Sequence, residues 1–231
     1  MKPHRNNDLL RNIFRDRPRT NLLKHYEQKT ITILLKILPQ WFTPNILTGI
    51  GLAGNIIVAV SFILAALYQI EWLLLGLAGF VINWFGDSLD GRLAYFRNKP
   101  RKNYGFTLDF TIDWISIIII GFGYIIYAEG PWELSGYGFV VMYGWEMILA
   151  LIRYRLTGQY VIDSGKVGPT EVRIILCILL VAEVLFLGSL KYLATLLVVI
   201  LFVVNIFDTH RLLQLADEYD RQEKSREKTG S

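Results

Sequence analysis

The chain has one cysteine, Cys177, and three histidines, His4, His25 and His210. A single thiol excludes an intrachain disulfide and says little about redox compartment. None of these four residues lies near the main acidic cluster in sequence, which disfavours zinc or copper centres. There is no nucleic-acid-binding motif, so no nucleic-acid partner is expected. There is no clear internal repeat, a common mark of transporters. The first forty residues are polar and basic and lack a short apolar core with a small-residue cleavage site, so no cleavable signal peptide is expected.

What fills the chain is apolar. Of 231 residues, 53% are hydrophobic, and the mean hydropathy is +0.37. That is too apolar for an ordinary soluble domain, and the runs are long enough to span a bilayer. The length suggests one domain. The expected fold is all-α and integral to the membrane, with six transmembrane helices preceded by an amphipathic juxtamembrane helix. Residues 1–42 would form a cytoplasmic tail, mobile over 1–18, and a surface helix over 19–42 ended near Pro39. Leu22, Leu23, Tyr26, Ile31, Leu34, Leu35 and Leu38 are among its apolar positions. A short soluble helix is the plainer alternative. The six spans, within a catalytic domain over 43–212, are expected near 43–68, 71–97, 104–128, 134–157, 169–187 and 191–212. A charged cytoplasmic tail over 213–231 follows. Thr43-Pro44-Asn45 opens the first span with a capping residue and an early proline. Gly49, Gly51, Ala53 and Gly54 would let that helix pack closely.

Charge lies on one side. Take the N-terminal segment, the loops after the second and fourth spans and the C-terminal tail together. All but one of the 24 Lys and Arg residues fall there, the exception being Lys191. Glu71, Glu129 and Glu133 fall on the other side. The positive-inside rule then predicts both termini in the cytoplasm, and the inner membrane if the source is bacterial.

Four aspartates sit at the junction of the second and third spans: Asp87, Asp90, Asp109 and Asp113. Each would cost ~2.5–3.5 kcal/mol at the centre of a membrane helix and less near the interface, so four amount to on the order of 10 kcal/mol. Something must compensate. Spacings of three and four put each pair on one helical face. A tight reversal between the spans would bring the pairs face to face. The first pair ends its helix, where the dipole disfavours anions, a further hint of a cation. Two divalent ions are the simplest neutralisation. Hard oxygen donors favour Mg2+ or Mn2+, with Ca2+ a further option. Mg2+ is usually shared between carboxylates and substrate phosphates, which points to a phosphorylated substrate.

The string Asp87-x-x-Asp90-Gly91-x-x-Ala94, then Gly105-x-x-x-Asp109-x-x-x-Asp113, resembles the signature of the CDP-alcohol phosphotransferase family. That signature is D-x-x-D-G-x-x-A-R followed by G-x-x-x-D-x-x-x-D. Seven of its eight fixed positions are present, in order and correctly spaced. The six-span plan, which covers most of the chain, also resembles the family. The departure is Tyr95, where the family has arginine.

The resemblance implies a phospholipid-synthesis enzyme. A CDP-alcohol (CDP-diacylglycerol or a CDP-aminoalcohol) is attacked at its β-phosphate by an acceptor hydroxyl, and CMP leaves. Asp87, Asp90 and Asp109 would hold two ions, with Asp113 beside them as further ligand and general base. A lone carboxylate is a weak base, but metal-organised geometry can make it adequate. Asp87, Gly91, Ala94 and Gly105 would form the nucleotide site. Gly91 would let the nucleotide approach the backbone, and Ala94 and Gly105 would keep the helices close. Arg92, on roughly the same helical face as Tyr95, is the expected replacement for the missing arginine. Arg97 lies nearly opposite. A homodimer is implied by the resemblance alone.

Two strings bear on the acceptor. Arg153 and Arg155 end the fourth span, where some family branches bind an acidic acceptor, though plain positive-inside anchoring explains them equally. Gly168-Pro169-Thr170-Glu171-Val172-Arg173 opens the fifth span and is weakly similar to a T-E-V string of the aminoalcohol branch. Glu171 could touch the acceptor there, although Pro and Glu are also ordinary helix-start residues. Glu146 and Glu183, within spans, have no assigned role. Two other functions compete. One is a divalent-cation transporter, opposed by the confinement of all four aspartates to one membrane face. The other is a homologue impaired at Tyr95 that still binds CDP-alcohol.

Overall fold

Long apolar runs can satisfy their backbone groups without water by coiling into helices. The computed structural model describes residues 24–158 and 169–229, and these form seven α-helices with no strand. They are α1 (Lys24–Ile37), α2 (Pro44–Leu67), α3 (Leu75–Phe96), α4 (Lys102–Tyr127), α5 (Glu133–Thr157), α6 (Pro169–Leu185) and α7 (Ser189–Thr229). Short 3-10 turns at Ile70–Leu74 and Gly130–Trp132 lead into α3 and α5. The N-terminal tail expected over 1–18 lies outside the described residues.

Among the described residues, five stretches are long and apolar enough to cross a membrane: Pro44–Leu67, Ile70–Phe96, Lys102–Tyr127, Gly130–Thr157 and Ser189–Gln222. The protein is therefore integral to the membrane. Helix α6 has 17 residues, or about 25 Å at the usual rise, less than the roughly 30 Å of a hydrocarbon core. Its Ile174 and Ile178, with Leu196, Val199 and Phe202 of α7, face outward in an apolar belt suited to lipid.

One boundary differs from expectation. Helix α7 does not stop near residue 212 but runs to Thr229. Its last third is polar yet made largely of helix-favouring residues, with an Asp217–Arg221 pair at 2.7 Å one turn apart. Helix α1 is described from Lys24 and ends at Ile37, close to the expected Pro39, and it turns part of its apolar side to the protein while Tyr26, Ile33 and Ile37 stay exposed. Ile31 and Leu35 are buried against Leu47 of α2 and Leu89 and Leu93 of α3. Arg97 fastens the link that follows, donating to the carbonyls of Pro39 at 2.9 Å, Gln40 at 3.2 Å and Phe42.

Helix α2 is the spine. Thr43 caps it, accepting from the Ile46 amide at 3.2 Å, with Pro44 at the first helical position. Its backbone touches that of α3 because glycines meet there. A Cβ on Gly79 would lie 2.7 Å from the Gly54 carbonyl oxygen and 2.9 Å from the Val58 amide. One on Gly86 would strike the Gly51 amide and the Leu47 carbonyl. Asn83 donates to the Gly51 carbonyl at 3.1 Å between the two contacts. Helix α4 leans on another side of α2, where Gly123 meets the Ala59 backbone. The expected reversal between α3 and α4 is the short link over residues 97–101. These two helices are not closely packed on each other, and each packs on α2 instead. The linker between them leaves α3 through Asn98, at φ 54°, with the Lys99 amide bonded to the Ala94 carbonyl at 2.9 Å.

Glu183, without a role in the sequence, is a structural clip. It is buried and accepts from the Tyr127 hydroxyl at 2.6 Å, the Gly188 amide at 2.9 Å, the Ser189 hydroxyl at 3.1 Å and the Leu190 amide at 2.5 Å. It thus satisfies amides at the start of α7 that no helical carbonyl can reach.

Candidate metal centre

The gap left between α3 and α4 is where the acidic side chains meet. Asp87 sits near the C-terminal end of α3, and Asp109 and Asp113 lie one turn apart in the first half of α4. Each contributes a carboxylate oxygen, and these oxygens lie within 4.8 Å of one another. All three residues are half-buried. Asp90 stands outside this trio. Its Oδ2 accepts from the Thr48 hydroxyl at 2.7 Å, and its Oδ1 from the Gly91 amide at 2.5 Å. Thr48 belongs to α2, so the spine also sets the fourth carboxylate.

A metal is a sound fit to the donor set. Oxygens on one Mg2+ or Ca2+ ion lie roughly 3 to 5 Å apart, given metal–oxygen distances of about 2.0–2.6 Å. The three aspartates meet that spacing from two helices, with hard oxygens only. No His or Cys belongs to the group, which keeps the preference for Mg2+, Mn2+ or Ca2+ over zinc.

Among the described residues, an arginine that was not expected there contacts the cluster. It is Arg173, from the second turn of α6. Its Nη2 lies 2.5 Å from Asp87 Oδ2, and its Nε donates to Asn83 Oδ1 at 2.7 Å. Asn83 in turn holds the Gly51 carbonyl, so one polar chain links α2, α3 and α6. Four carboxylates against one guanidinium leave a net charge of −3 among these groups, which still favours cations. Arg92, the expected replacement for the missing arginine, lies 3.8 Å from Glu27 of α1 and donates to the Ser88 carbonyl. Tyr95, at the departure from the signature, packs against the apolar cluster that anchors α1. Its ring is part of that docking surface. Neither Asn83 nor Arg173 stood out in the sequence. The available signal was a charged residue five positions into an apolar helix, where charge is expensive and needs a partner.

The remaining expected site residues divide. A Cβ at Gly91 or Gly105 would meet nothing within 4 Å. Gly105 therefore does not hold helices together, and the close contacts belong to Gly51, Gly54, Gly79 and Gly86. Both positions offer open backbone beside the carboxylates. Ala94 is half-buried one turn beyond Asp90. Asn45 bonds both Tyr104 at 3.1 Å and Arg101 at 2.9 Å, tying the start of α2 to the start of α4. Arg153 pairs with Asp208 of α7 at 3.6 Å, while Arg155 is exposed. Glu171 is half-buried in the first turn of α6. Glu146 of α5 is half-buried, and its Oε2 has no hydrogen-bond partner among the described residues.

A model of the CDP-alcohol phosphatidyltransferase family matches residues 41–208, which takes in α2 to α6 and the first half of α7. No individual curated protein matches the chain.

Proposed function

The chain belongs to the CDP-alcohol phosphatidyltransferase family, an assignment that makes it a membrane transferase of phospholipid synthesis, and from that premise we propose the reaction and its residues. A phospho-alcohol or phosphatidyl group passes from a CDP-alcohol to an acceptor hydroxyl. The acceptor oxygen forms a bond to the β-phosphorus, the bond from that phosphorus to the CMP oxygen breaks, and CMP leaves. The observation that carries this reading is the convergence of Asp87, Asp109 and Asp113 within 4.8 Å, with Asp90 beside them.

Two divalent ions, Mg2+ or Mn2+, would supply charge neutralisation at the diphosphate. Asp87, Asp90, Asp109 and Asp113 would hold them. Asp113 takes the hydroxyl proton. Gly91 and Gly105, with open space where a side chain would stand, let the nucleotide come against the backbone of α3 and α4. Arg153, Arg155 and Glu171 remain the proposed acceptor contacts. The pairing of Arg153 with Asp208 reduces the positive charge available to an acidic acceptor there. In the membrane, α6 is taken as the fifth of six spans, and α7 as the sixth. Both termini and the carboxylates face the cytoplasm, by the lysine and arginine asymmetry. A homodimer accords with the family.

The test is CMP release by the purified protein in lipid with Mg2+ or Mn2+. CDP-diacylglycerol is offered with soluble acceptor alcohols, and CDP-choline or CDP-ethanolamine with diacylglycerol. Metal-dependent CMP from one pairing, lost in Asp113→Asn, supports the reading and identifies the partner that carries the nucleotide. Absence of CMP from every pairing refutes it.

A further inference from the structure

We infer that Arg173 is an exchangeable counter-ion, which holds Asp87 while no divalent cation is bound and turns to the substrate diphosphate when the carboxylates take up metal. This rests on the reading of the substrate as a CDP-alcohol. The geometry gives the guanidinium two unequal contacts. Its Nε bond to Asn83 Oδ1, 2.7 Å, goes to a neutral amide that is itself fixed on the Gly51 carbonyl. Its Nη2 contact, 2.5 Å, goes to Asp87, one of the three carboxylates that converge. A divalent ion on Asp87 would confront a guanidinium on the same carboxylate. The two positive charges repel, and the bond to Asp87 weakens while the bond to Asn83 is untouched. Asn83 then acts as a pivot.

What the freed edge meets follows from the substrate. A diphosphate brought to the carboxylates by metal lies within reach of the site that Arg173 already occupies. The planar fork of a guanidinium suits two phosphate oxygens at once. Among the described residues, two other arginines near the cluster have contacts of their own. Arg92 faces Glu27, Arg97 fastens the carbonyls of the α1–α2 link, and Tyr95 has no charge to offer. Arg173 thus keeps the cluster partly neutral before metal arrives and supplies a phosphate contact afterwards. Metal binding and nucleotide binding then become coupled through one side chain.

The experiment measures Mn2+ binding by electron paramagnetic resonance and CDP binding by calorimetry, on the full chain in lipid nanodiscs. Wild type is compared with Arg173→Gln and Arg173→Lys. Removing the competing charge should tighten Mn2+ binding in Arg173→Gln about tenfold without nucleotide, and weaken CDP binding about tenfold at saturating Mn2+, the worth of one charged contact. Arg173→Lys keeps the charge without the fork. It should bind Mn2+ like wild type and bind CDP more weakly, and it carries the test if Arg173→Gln does not fold. Unchanged or weaker Mn2+ binding in a folded Arg173→Gln overturns the exchange, as does wild-type CDP affinity in either variant. Wild type that releases CMP while both affinities stay fixed refutes the exchange alone. Wild type that releases none, with Mn2+ binding still tightened in Arg173→Gln, refutes the catalytic reading and leaves the competition at Asp87 standing.

Discussion

Substituting Gly86 tests whether the spine helix positions the carboxylates. Alanine there places a methyl group against the Gly51 amide and the Leu47 carbonyl, which are backbone and cannot turn aside. Helix α2 must withdraw from α3. Overpacking of this kind costs ~1–3 kcal/mol. Withdrawal also stretches the Asn83–Gly51 bond, 3.1 Å, and the Thr48–Asp90 bond, 2.7 Å, each worth ~0.5–1.5 kcal/mol. The better helix propensity of alanine returns only ~0.5–1 kcal/mol. A net loss of roughly 2–4 kcal/mol is expected. Because Asp87 is the next residue and Asp90 loses its tether, the site should distort by about 1 Å, a shift that can lower the rate ~100-fold. Gly91→Ala is the control, with nothing within 4 Å of the new methyl group. It should melt at or above the wild-type temperature yet bind CDP more weakly, because the methyl group stands where the nucleotide approaches. Thermal unfolding and CMP release in nanodiscs read both variants. Wild-type melting and activity in Gly86→Ala would refute the close α2–α3 contact and the positioning argument with it.

Asp109→Asn should weaken Mn2+ binding by more than tenfold and abolish metal-dependent CMP release, whereas unchanged Mn2+ resonance would remove Asp109 from the centre. Glu183→Gln turns an acceptor into a donor beside the Ser189 hydroxyl and the Leu190 amide. Stranding those two groups should cost ~2–4 kcal/mol in thermal unfolding, and a melt like wild type would show that the clip contributes nothing. Arg97→Gln should release the α1–α2 link and speed amide hydrogen exchange over residues 24–42 about tenfold, while Mn2+ binding stays unchanged. Exchange at the wild-type rate would mean that the apolar contacts of Ile31 and Leu35 hold α1 by themselves.

Several elements were legible before any coordinates. Each apolar run became a helix close to its expected limits, since a chain without water must bond its own backbone. The cap at Thr43 and Pro44 was a local matter of one turn. Asp109 and Asp113 stand one turn apart on α4, as their spacing requires. Where the sequence stopped short, the deciding forces were non-local. The amphipathic face of α1 was legible as a pattern, but the pattern does not say whether lipid or Leu89 and Leu93 will cover it. The polar end of α7 continued as helix because nothing in it breaks one. Glu183 had no visible role because its partners lie on α4 and in the turn ahead of it.

The sequence by itself determined the helices, their apolar surfaces and four carboxylates near one end of the bundle. Those features depend on composition and on spacings of three to four residues. Tertiary structure alone decided that α2 stands between α3 and α4, because that follows from which glycines let backbones touch. It alone decided that Asp90 is tethered to Thr48 and that Arg173 reaches Asp87 across 86 positions of chain. Helix periodicity cannot encode such a meeting. It follows from which helices pack together, and at which turn.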